Sequence, residues 1–235
     1  MLSKLKEFLH RHPGLRNGIR ELRWQLKRIP VIGRVSIAFD AAYFKDAGEE
    51  RPNADVHGGV DKYSEAYAKF IVPRTHGRVL DVGCGRGYLT RRIAQNPRVE
   101  AVVGIDKIEN FENTHPKITY MSEDLPPAGD FLGKFDVVVA SEFIEHITEE
   151  DHKKIVAKVA RALKPDGVYI GSTPHNPTNF KTFSGSRFHI REYNKKDIER
   201  ILQSFFDDVV VAALPEHCLV WEARRPVAKE NHATH

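Results

Sequence analysis

The residues with the clearest chemical potential are three glycines at alternate positions, Gly83, Gly85 and Gly87, with an acid on either side of them. Asp81 lies two positions before the first glycine, inside the apolar run VLDV, and Asp106 ends the next apolar run, VVGID. Glycines in such a turn accept positive φ and let a ligand approach the main chain. A helix beginning behind the turn would offer N–H groups to an anion, and Asp106 would accept hydrogen bonds from ribose hydroxyls. The pattern predicts a ribose-containing cofactor.

The spacing of this turn differs from that of dinucleotide-binding turns, which have GxGxxG. Here the pattern is GxGxG, and Asp81 places a carboxylate in the preceding strand. The segment from Arg78 to Asp106 resembles the class I S-adenosylmethionine-dependent methyltransferases, and the resemblance extends over about residues 60–223. It implies that the loop binds the methionine part of S-adenosyl-L-methionine and that Asp106 binds its ribose, with S-adenosyl-L-homocysteine as the product. The alternative is a tight turn that binds no ligand.

The resemblance implies further cofactor contacts outside the turn. The run from Ser122 to Pro126 resembles the family's adenine-side loop, although Met121 stands where the family often has an acid. The run FDVVVAS, which ends at Ser141, resembles the fourth strand of the family and its exit. The cofactor-binding residues implied in this way are Asp81, Gly83, Cys84, Gly85, Gly87, Asp106, Lys107, Glu123, Asp124 and Ser141.

A second group of polar residues follows the later apolar runs. Glu142, Glu145 and His146 form the pattern ExxEH after one run, and His189 comes later in FHIREY. Thr173, His175 and Asn176 follow another apolar run. Ligands of an open parallel sheet bind beyond the carboxyl ends of its strands, so these residues are expected to meet the acceptor.

This second group resembles two branches of the family, the ubiquinone-pathway O-methyltransferases and the small-RNA 3′-terminal 2′-O-methyltransferases. In the latter branch ExxEH and a later histidine bind a divalent metal, which implies Glu142, Glu145, His146 and His189 as ligands. Carboxylates with imidazoles suit Mn²⁺, Fe²⁺ or Zn²⁺ better than Mg²⁺. Alternatively, His146 or His189 acts as a general base beside Glu142, or the motif only caps a helix and packs locally.

The acceptor class follows from a missing motif. Amino-group methylation of nucleic acids uses an Asn/Asp-Pro-Pro-Tyr/Phe tetrapeptide, and here Asn176-Pro177 is followed by Thr178. This favours O-methylation of a small-molecule, lipid-linked or glycan hydroxyl. The alternatives are 2′-O-methylation of RNA and a non-catalytic, cofactor-binding regulatory protein.

The elements that must position these residues alternate along the chain. Strand-length apolar runs at 79–82, 102–105, 118–121, 135–140 and 167–172 are separated by helical patterns at 87–95 and 149–163. This alternation predicts an α/β fold with a parallel sheet between helices. After a helix at 195–204, runs at 208–214 and 217–223 predict an antiparallel hairpin. With the resemblance, the expected fold is a Rossmann-like, doubly wound, mostly parallel seven-stranded sheet with an N-terminal helical appendage.

Charge divides the 235 residues into unequal parts. Residues 1–35 carry nine basic and two acidic side chains, a net charge of +7, so the remaining residues carry −3 of the total of +4. Apolar residues recur at 4-3-4-3 spacing from Leu15 to Ile29 beside Trp24, which is typical of a helix that packs on a domain, lies on an anionic membrane or binds RNA phosphates. Because the basic charge lies outside the main domain, nucleic acid is the less favoured partner.

The domain boundaries follow from these patterns. We expect a basic amphipathic appendage over 1–35, a linker or lid over 36–60, a methyltransferase domain over 61–225 and a disordered tail over 226–235. The two cysteines, Cys84 and Cys218, indicate free thiols in a reducing compartment. The sequence has no bilayer-spanning apolar run and no signal peptide, which predicts a cytoplasmic protein, peripheral to a membrane if residues 1–30 bind one. Nothing in the sequence predicts an oligomeric state.

Overall fold

The computed structural model describes residues 62–107, 111, 113–122, 131–178, 189–215 and 218–227. The predictions for the appendage, the linker, Glu123, Asp124 and residues 228–235 therefore lie outside the described residues. Within the described residues, no helix is long and apolar enough to cross a bilayer.

A seven-stranded sheet in the order β3-β2-β1-β4-β5-β7-β6 organises the domain. Its strands are β1 (Gly77–Val82), β2 (Val99–Asp106), β3 (Ile118–Ser122), β4 (Phe135–Ser141), β5 (Leu163–Pro174), β6 (Phe206–Leu214) and β7 (Cys218–Pro226). The first five are parallel to one another, whereas β7 runs antiparallel to both β5 and β6. The predicted mostly parallel sheet with an antiparallel C-terminal hairpin is confirmed.

Helices cover both faces of the sheet, as the alternation predicts. The helices are α1 (Lys62–Ile71), α2 (Tyr88–Ala94), α3 (Glu149–Ala162) and α4 (Lys195–Leu202), with 3-10 turns at Val72–Arg74 and Ile144–His146. Side chains of Thr148 and Asn194 cap α3 and α4 by accepting the N–H groups of Asp151 and Asp197. Such caps satisfy donors that the first helical turn leaves without a partner and define where each helix begins.

The central strand β4 is almost continuously apolar because it is covered on both faces of the sheet. Val137 and Val139 belong to the core beneath α1 and α2, whereas Val138 and Ala140 belong to the core beneath α3 and α4. Successive side chains of a strand point to opposite faces, so a strand covered on both faces must be apolar at nearly every position. The pairing of β4 with β5 begins at Phe135 and Leu163. For this reason β5 starts at Leu163, earlier than the predicted start at 167.

This topology brings the polar residues of the sequence analysis to one edge. The carboxyl ends of β1, β2, β4 and β5 lie side by side because these strands are parallel neighbours. The glycine turn, Asp106, Ser141 and Thr173 all stand at these ends. In an open α/β sheet this edge is where ligands bind.

Candidate cofactor and acceptor site

The glycine turn connects β1 to α2 and is held against the end of β2. The N–H groups of Gly83 and Cys84 both donate to the carbonyl of Ile105, at 2.8 and 3.1 Å. The Gly85 N–H donates to Asp106 Oδ2 at 2.8 Å, which joins the turn to the predicted ribose-binding acid. Two of the motif's elements, predicted separately from the sequence, are therefore in direct contact.

Two of the glycines are required by both conformation and space. Gly83 has φ +72°, and a Cβ there would overlap the ring of Phe143. Gly87 has φ +88°, and a Cβ there would overlap the hydroxyl end of Tyr120. A side chain at either position would meet both the strain of a left-handed backbone and a steric clash.

Asp81 faces the interior and links β1 to α2. It is 2% exposed and accepts a hydrogen bond from Thr90 Oγ1 at 2.7 Å. Burial, opposed by the Thr90 hydrogen bond and reinforced by the charge of Asp106, raises the pKa of Asp81 to about 7. Through this hydrogen bond Asp81 joins the strand before the glycine turn to the helix after it.

Cys84 and Lys107, both predicted to contact the cofactor, have different surroundings. Cys84 is buried, and burial, together with the charges of Asp81 and Asp106, raises the pKa of its thiol far above the ordinary value. A thiol in this environment stays protonated, so it packs and does not act as a nucleophile. Lys107 is exposed directly after β2.

Sequence reasoning did not identify the aromatic residues beside the turn. Tyr120 on β3 stacks on Phe111, with ring centroids 4.3 Å apart, and donates its hydroxyl to the carbonyl of Asn113 at 2.6 Å. Asn113 in turn donates its side-chain amide to the carbonyl of Arg86 at 3.1 Å. The closeness of Tyr120 to Gly87 could be found only from the pairing of β2 with β3, which lies outside any local pattern.

Ser141 and Glu142 stand where β4 ends, joined to β5 by Ser172. The hydroxyls of Ser141 and Ser172 are 2.7 Å apart, and Ser172 Oγ donates to Glu142 Oε1 at 3.0 Å. The Glu142 N–H donates to the Ser172 carbonyl at 3.0 Å, and Glu142 has φ +52°. A left-handed conformation is unusual for glutamate, and such strain concentrates at functional sites.

Three of the four predicted metal ligands come together. One ligand atom from each of Glu145, His146 and His189 lies within 4.8 Å of the other two. Glu142 is not one of this group, and its Oε1 accepts a hydrogen bond from Ser172. The prediction that Glu142 is a ligand or a catalytic residue stays a prediction.

Glu145 and His146 are buried, His189 is partly buried, and further carboxylates lie near this group. Glu145 is 1% exposed, accepts a hydrogen bond from Thr173 Oγ1 at 2.9 Å and lies 3.7 Å from His146 Nε2. Burial and then the charge of Glu142, with a further contribution from Glu192, raise the pKa of Glu145 well above its usual range. A cation placed among these carboxylates would favour their ionised form.

The segment that carries His189 is fixed to the rest of the domain. The N–H groups of Ile190 and Arg191 both donate to the carbonyl of Glu145, at 2.8 and 3.2 Å. The Arg191 guanidinium also forms ion pairs with Glu149 at 2.9 Å and Asp197 at 3.4 Å. These contacts hold His189 beside His146, with ring centroids 5.1 Å apart.

Comparisons with known proteins agree with this fold and this turn. The family model of a methyltransferase domain matches residues 56–205, which is more than half of the chain. The chain belongs to that family, and its turn and sheet are those of the class I S-adenosylmethionine-dependent methyltransferases.

Curated relatives match over part of their length. A Mycolicibacterium smegmatis protein named as a probable S-adenosylmethionine-dependent methyltransferase is 33% identical over 145 residues, which is 57% of this chain and 53% of the relative. The ubiquinone biosynthesis O-methyltransferase of Leptothrix cholodnii is 33% identical over 116 residues, which is 44% of this chain and 47% of the relative. The chain spans about half the length of the curated relatives that it matches.

Solved structures share the fold at low sequence identity. The Burkholderia thailandensis 1,6-didemethyltoxoflavin-N1-methyltransferase, crystallised with 1,6-didemethyltoxoflavin and S-adenosylhomocysteine, has a TM-score of 0.57 and 19% identity, and covers 79% of this chain and 88% of its own. The DhpI complex with S-adenosylhomocysteine has a TM-score of 0.59 and 17% identity, and covers 80% and 95%. At these identities the likeness concerns the fold.

Proposed function

We propose that this chain is an S-adenosyl-L-methionine-dependent O-methyltransferase that acts on a hydroxyl of a small-molecule, lipid-linked or glycan acceptor. The observation that carries the proposal is the convergence of Glu145, His146 and His189 just beyond the carboxyl end of β4. Phe143, two residues before this group, packs against Gly83 of the cofactor turn. The groups that could activate an acceptor thus adjoin the turn that would hold the methyl donor.

Methyl transfer is an in-line displacement. The acceptor oxygen attacks the methyl carbon, the bond from that carbon to sulfur breaks, and the electron pair stays on sulfur to give S-adenosyl-L-homocysteine. The acceptor hydroxyl must lose its proton during the reaction. The protein contributes alignment of the two reactants and a group that removes this proton.

The cluster offers two ways to remove the proton. A neutral imidazole of His146 or His189 can accept it directly, on the ring nitrogen that carries a lone pair. Alternatively, Glu145, His146 and His189 would hold a divalent cation, for which one carboxylate and two imidazoles are a suitable donor set. When bound, such a cation lowers the pKa of a coordinated hydroxyl.

The same convergence supports a second candidate acceptor, the 2′-hydroxyl at an RNA end. Glu145, His146 and His189 come together in the structure, and by resemblance of the sequence they correspond to three of the four metal ligands of the small-RNA branch. We rank this acceptor second because the excess of basic residues in the sequence lies in residues 1–35, outside the methyltransferase domain.

The test is methyl transfer from labelled S-adenosyl-L-methionine to a panel of catechols, glycans, lipid-linked phenols and short RNA ends, each with and without EDTA. A metal-dependent enzyme should lose activity in EDTA and regain it with Mn²⁺, and His189→Ala should reduce turnover far more than cofactor affinity. An enzyme that uses an imidazole base should keep its activity in EDTA and lose it in His146→Ala or His189→Ala.

The control is His115→Ala, which changes a histidine near the start of β3 and should leave turnover unchanged. Activity that persists in EDTA and in both His146→Ala and His189→Ala would contradict both mechanisms. Cofactor binding without transfer to any acceptor in the panel would favour the non-catalytic alternative.

A further inference from the structure

Glu192 is a buried carboxylate that sequence reasoning did not assign to the site. It is 2% exposed, and its Oε1 lies 2.6 Å from Nδ1 of His189, whose side chain is 13% exposed. An ionised carboxylate can only accept a hydrogen bond, so in this contact a neutral His189 carries its proton on Nδ1. The lone pair of the imidazole is then on Nε2.

The backbone around Glu192 leaves its carboxylate little freedom. On one side, Arg191 is held by its ion pairs and by its N–H bond to the Glu145 carbonyl. On the other side, Tyr193 is fully buried, and its carbonyl accepts the N–H of Asn176 at 2.9 Å. A buried carboxylate whose two neighbours in the chain are both held in place can impose one orientation on the ring that it contacts.

We propose that Glu192 is a positioning residue, which fixes the ring orientation and the Nδ1–H tautomer of His189. Nε2 then carries a lone pair that can take the acceptor's proton or bind a cation. The inference rests on the proposed function, in which His189 serves the acceptor. It holds for both mechanisms, because a proton acceptor and a metal ligand each require a neutral imidazole with a defined lone pair. Carboxylate partners commonly orient functional histidines in this way.

The experiment is NMR of the full-length chain labelled with ¹⁵N-histidine, in which the chemical shifts of the two ring nitrogens report the tautomer. The His189 signals are assigned by their disappearance in His189→Gln. We expect the Nδ1–H tautomer in the unmodified protein and a redistribution toward Nε2–H in Glu192→Ala. The matched control is Glu199→Ala, which removes a glutamate of α4 near Lys195 and should leave the tautomer unchanged.

Turnover gives the second readout. Glu192→Ala should lower methyl transfer about 10–100-fold, the range found for carboxylates that support functional histidines, with the affinity for S-adenosylhomocysteine unchanged. Glu192→Gln should retain more activity, because the amide oxygen can still accept from Nδ1–H. If Glu192→Ala does not fold, Glu192→Met replaces it, because methionine has a similar length and offers no carboxylate to Nδ1–H.

An Nε2–H tautomer in the unmodified protein, or an unchanged tautomer in Glu192→Ala, would overturn the inference. Because the tautomer is measured without substrate, its outcome is separate from that of the proposed function. A tautomer shift in an inactive protein would support the positioning role and contradict the O-methyltransferase proposal.

Discussion

The ring of Phe143 occupies the space that a side chain on Gly83 would need. Gly83 belongs to the cofactor turn after β1, and Phe143 belongs to the exit of β4, from which Glu145 and His146 follow. The cofactor turn and the segment that leads to the acceptor side are therefore in direct contact.

This contact predicts the effect of Gly83→Ala. We expect a loss of about 2–5 kcal/mol of unfolding free energy, because left-handed strain of about 1–2 kcal/mol adds to overpacking of about 1–3 kcal/mol. Gly133→Ala is the matched control, since Gly133 also has positive φ, at +60°, but the space that its Cβ would enter is open, with nothing within 4 Å. It should cost only the strain.

Urea unfolding of both variants measures the difference. Adding Phe143→Ala to Gly83→Ala should recover the overpacking part, which would appear as a coupling energy between the two positions. Equal losses in Gly83→Ala and Gly133→Ala would show that Phe143 does not restrict the turn.

Asp106 accepts the Gly85 N–H and is predicted to bind the ribose of the cofactor, and substitution can separate these two roles. Asp106→Ala should weaken binding of S-adenosylhomocysteine by about 1–3 kcal/mol, because it removes a charged acceptor for the ribose. Asp106→Asn keeps an oxygen that can accept the Gly85 N–H, so it should preserve the turn while losing the charge. Isothermal calorimetry measures both affinities.

The control for this prediction is Asp208→Asn, which changes an exposed acid of β6 on the far side of the sheet. It should bind as tightly as the unmodified protein. An unchanged affinity in Asp106→Ala would remove Asp106 from the cofactor site.

His152 on α3 should make the folded chain less stable in acid, whereas Asp81, whose pKa is raised from 3.8 to about 7, has the opposite effect over the same pH range. Its ring is fully buried edge-on against Tyr193, at 5.3 Å between centroids, and no described side chain or backbone group pairs with its nitrogens. Burial, reinforced by Arg191 and Lys153 and opposed by Glu149, lowers the pKa of His152 to about 3. Between pH 6.5 and 3 the unfolded chain therefore binds a proton that the folded chain does not.

The stabilisation from neutral His152 is thus complete above about pH 6.5 and is lost as the pH falls, with a slope of up to about 1.4 kcal/mol per pH unit. Urea unfolding at several pH values measures this slope. The slope should be smaller in His152→Leu and unchanged in His76→Gln, which replaces an exposed histidine. The same slope in His152→Leu would mean that other groups cause the acid sensitivity.

For residues 1–30 we propose binding to anionic membranes through the basic amphipathic pattern of the sequence. Deleting them should abolish pelleting with phosphatidylserine vesicles, while the affinity for S-adenosylhomocysteine stays nearly intact. Added salt should weaken pelleting of the full chain, since the attraction is a screened Coulomb interaction. Neutral phosphatidylcholine vesicles are the control, and a truncated chain that no longer folds would instead indicate packing on the domain.

The sequence by itself determined the order of strands and helices and the identity of the cofactor turn. Alternating glycines and apolar runs are local signals, because each reports the conformation or burial of its own residues. For this reason the strand centred on Val138 and the turn from Gly83 to Gly87 were located correctly without any knowledge of their neighbours.

Only the tertiary structure decided which polar groups meet. Ser172 reaches Glu142, and Tyr120 covers Gly87, and neither contact follows from a local pattern. Within the ExxEH pattern, Glu142 has a left-handed backbone and accepts a hydrogen bond from Ser172 of β5, whereas Glu145 accepts one from Thr173. Side-chain partners depend on strand register and loop docking, and these are set by the packing of the whole sheet rather than by neighbouring residues.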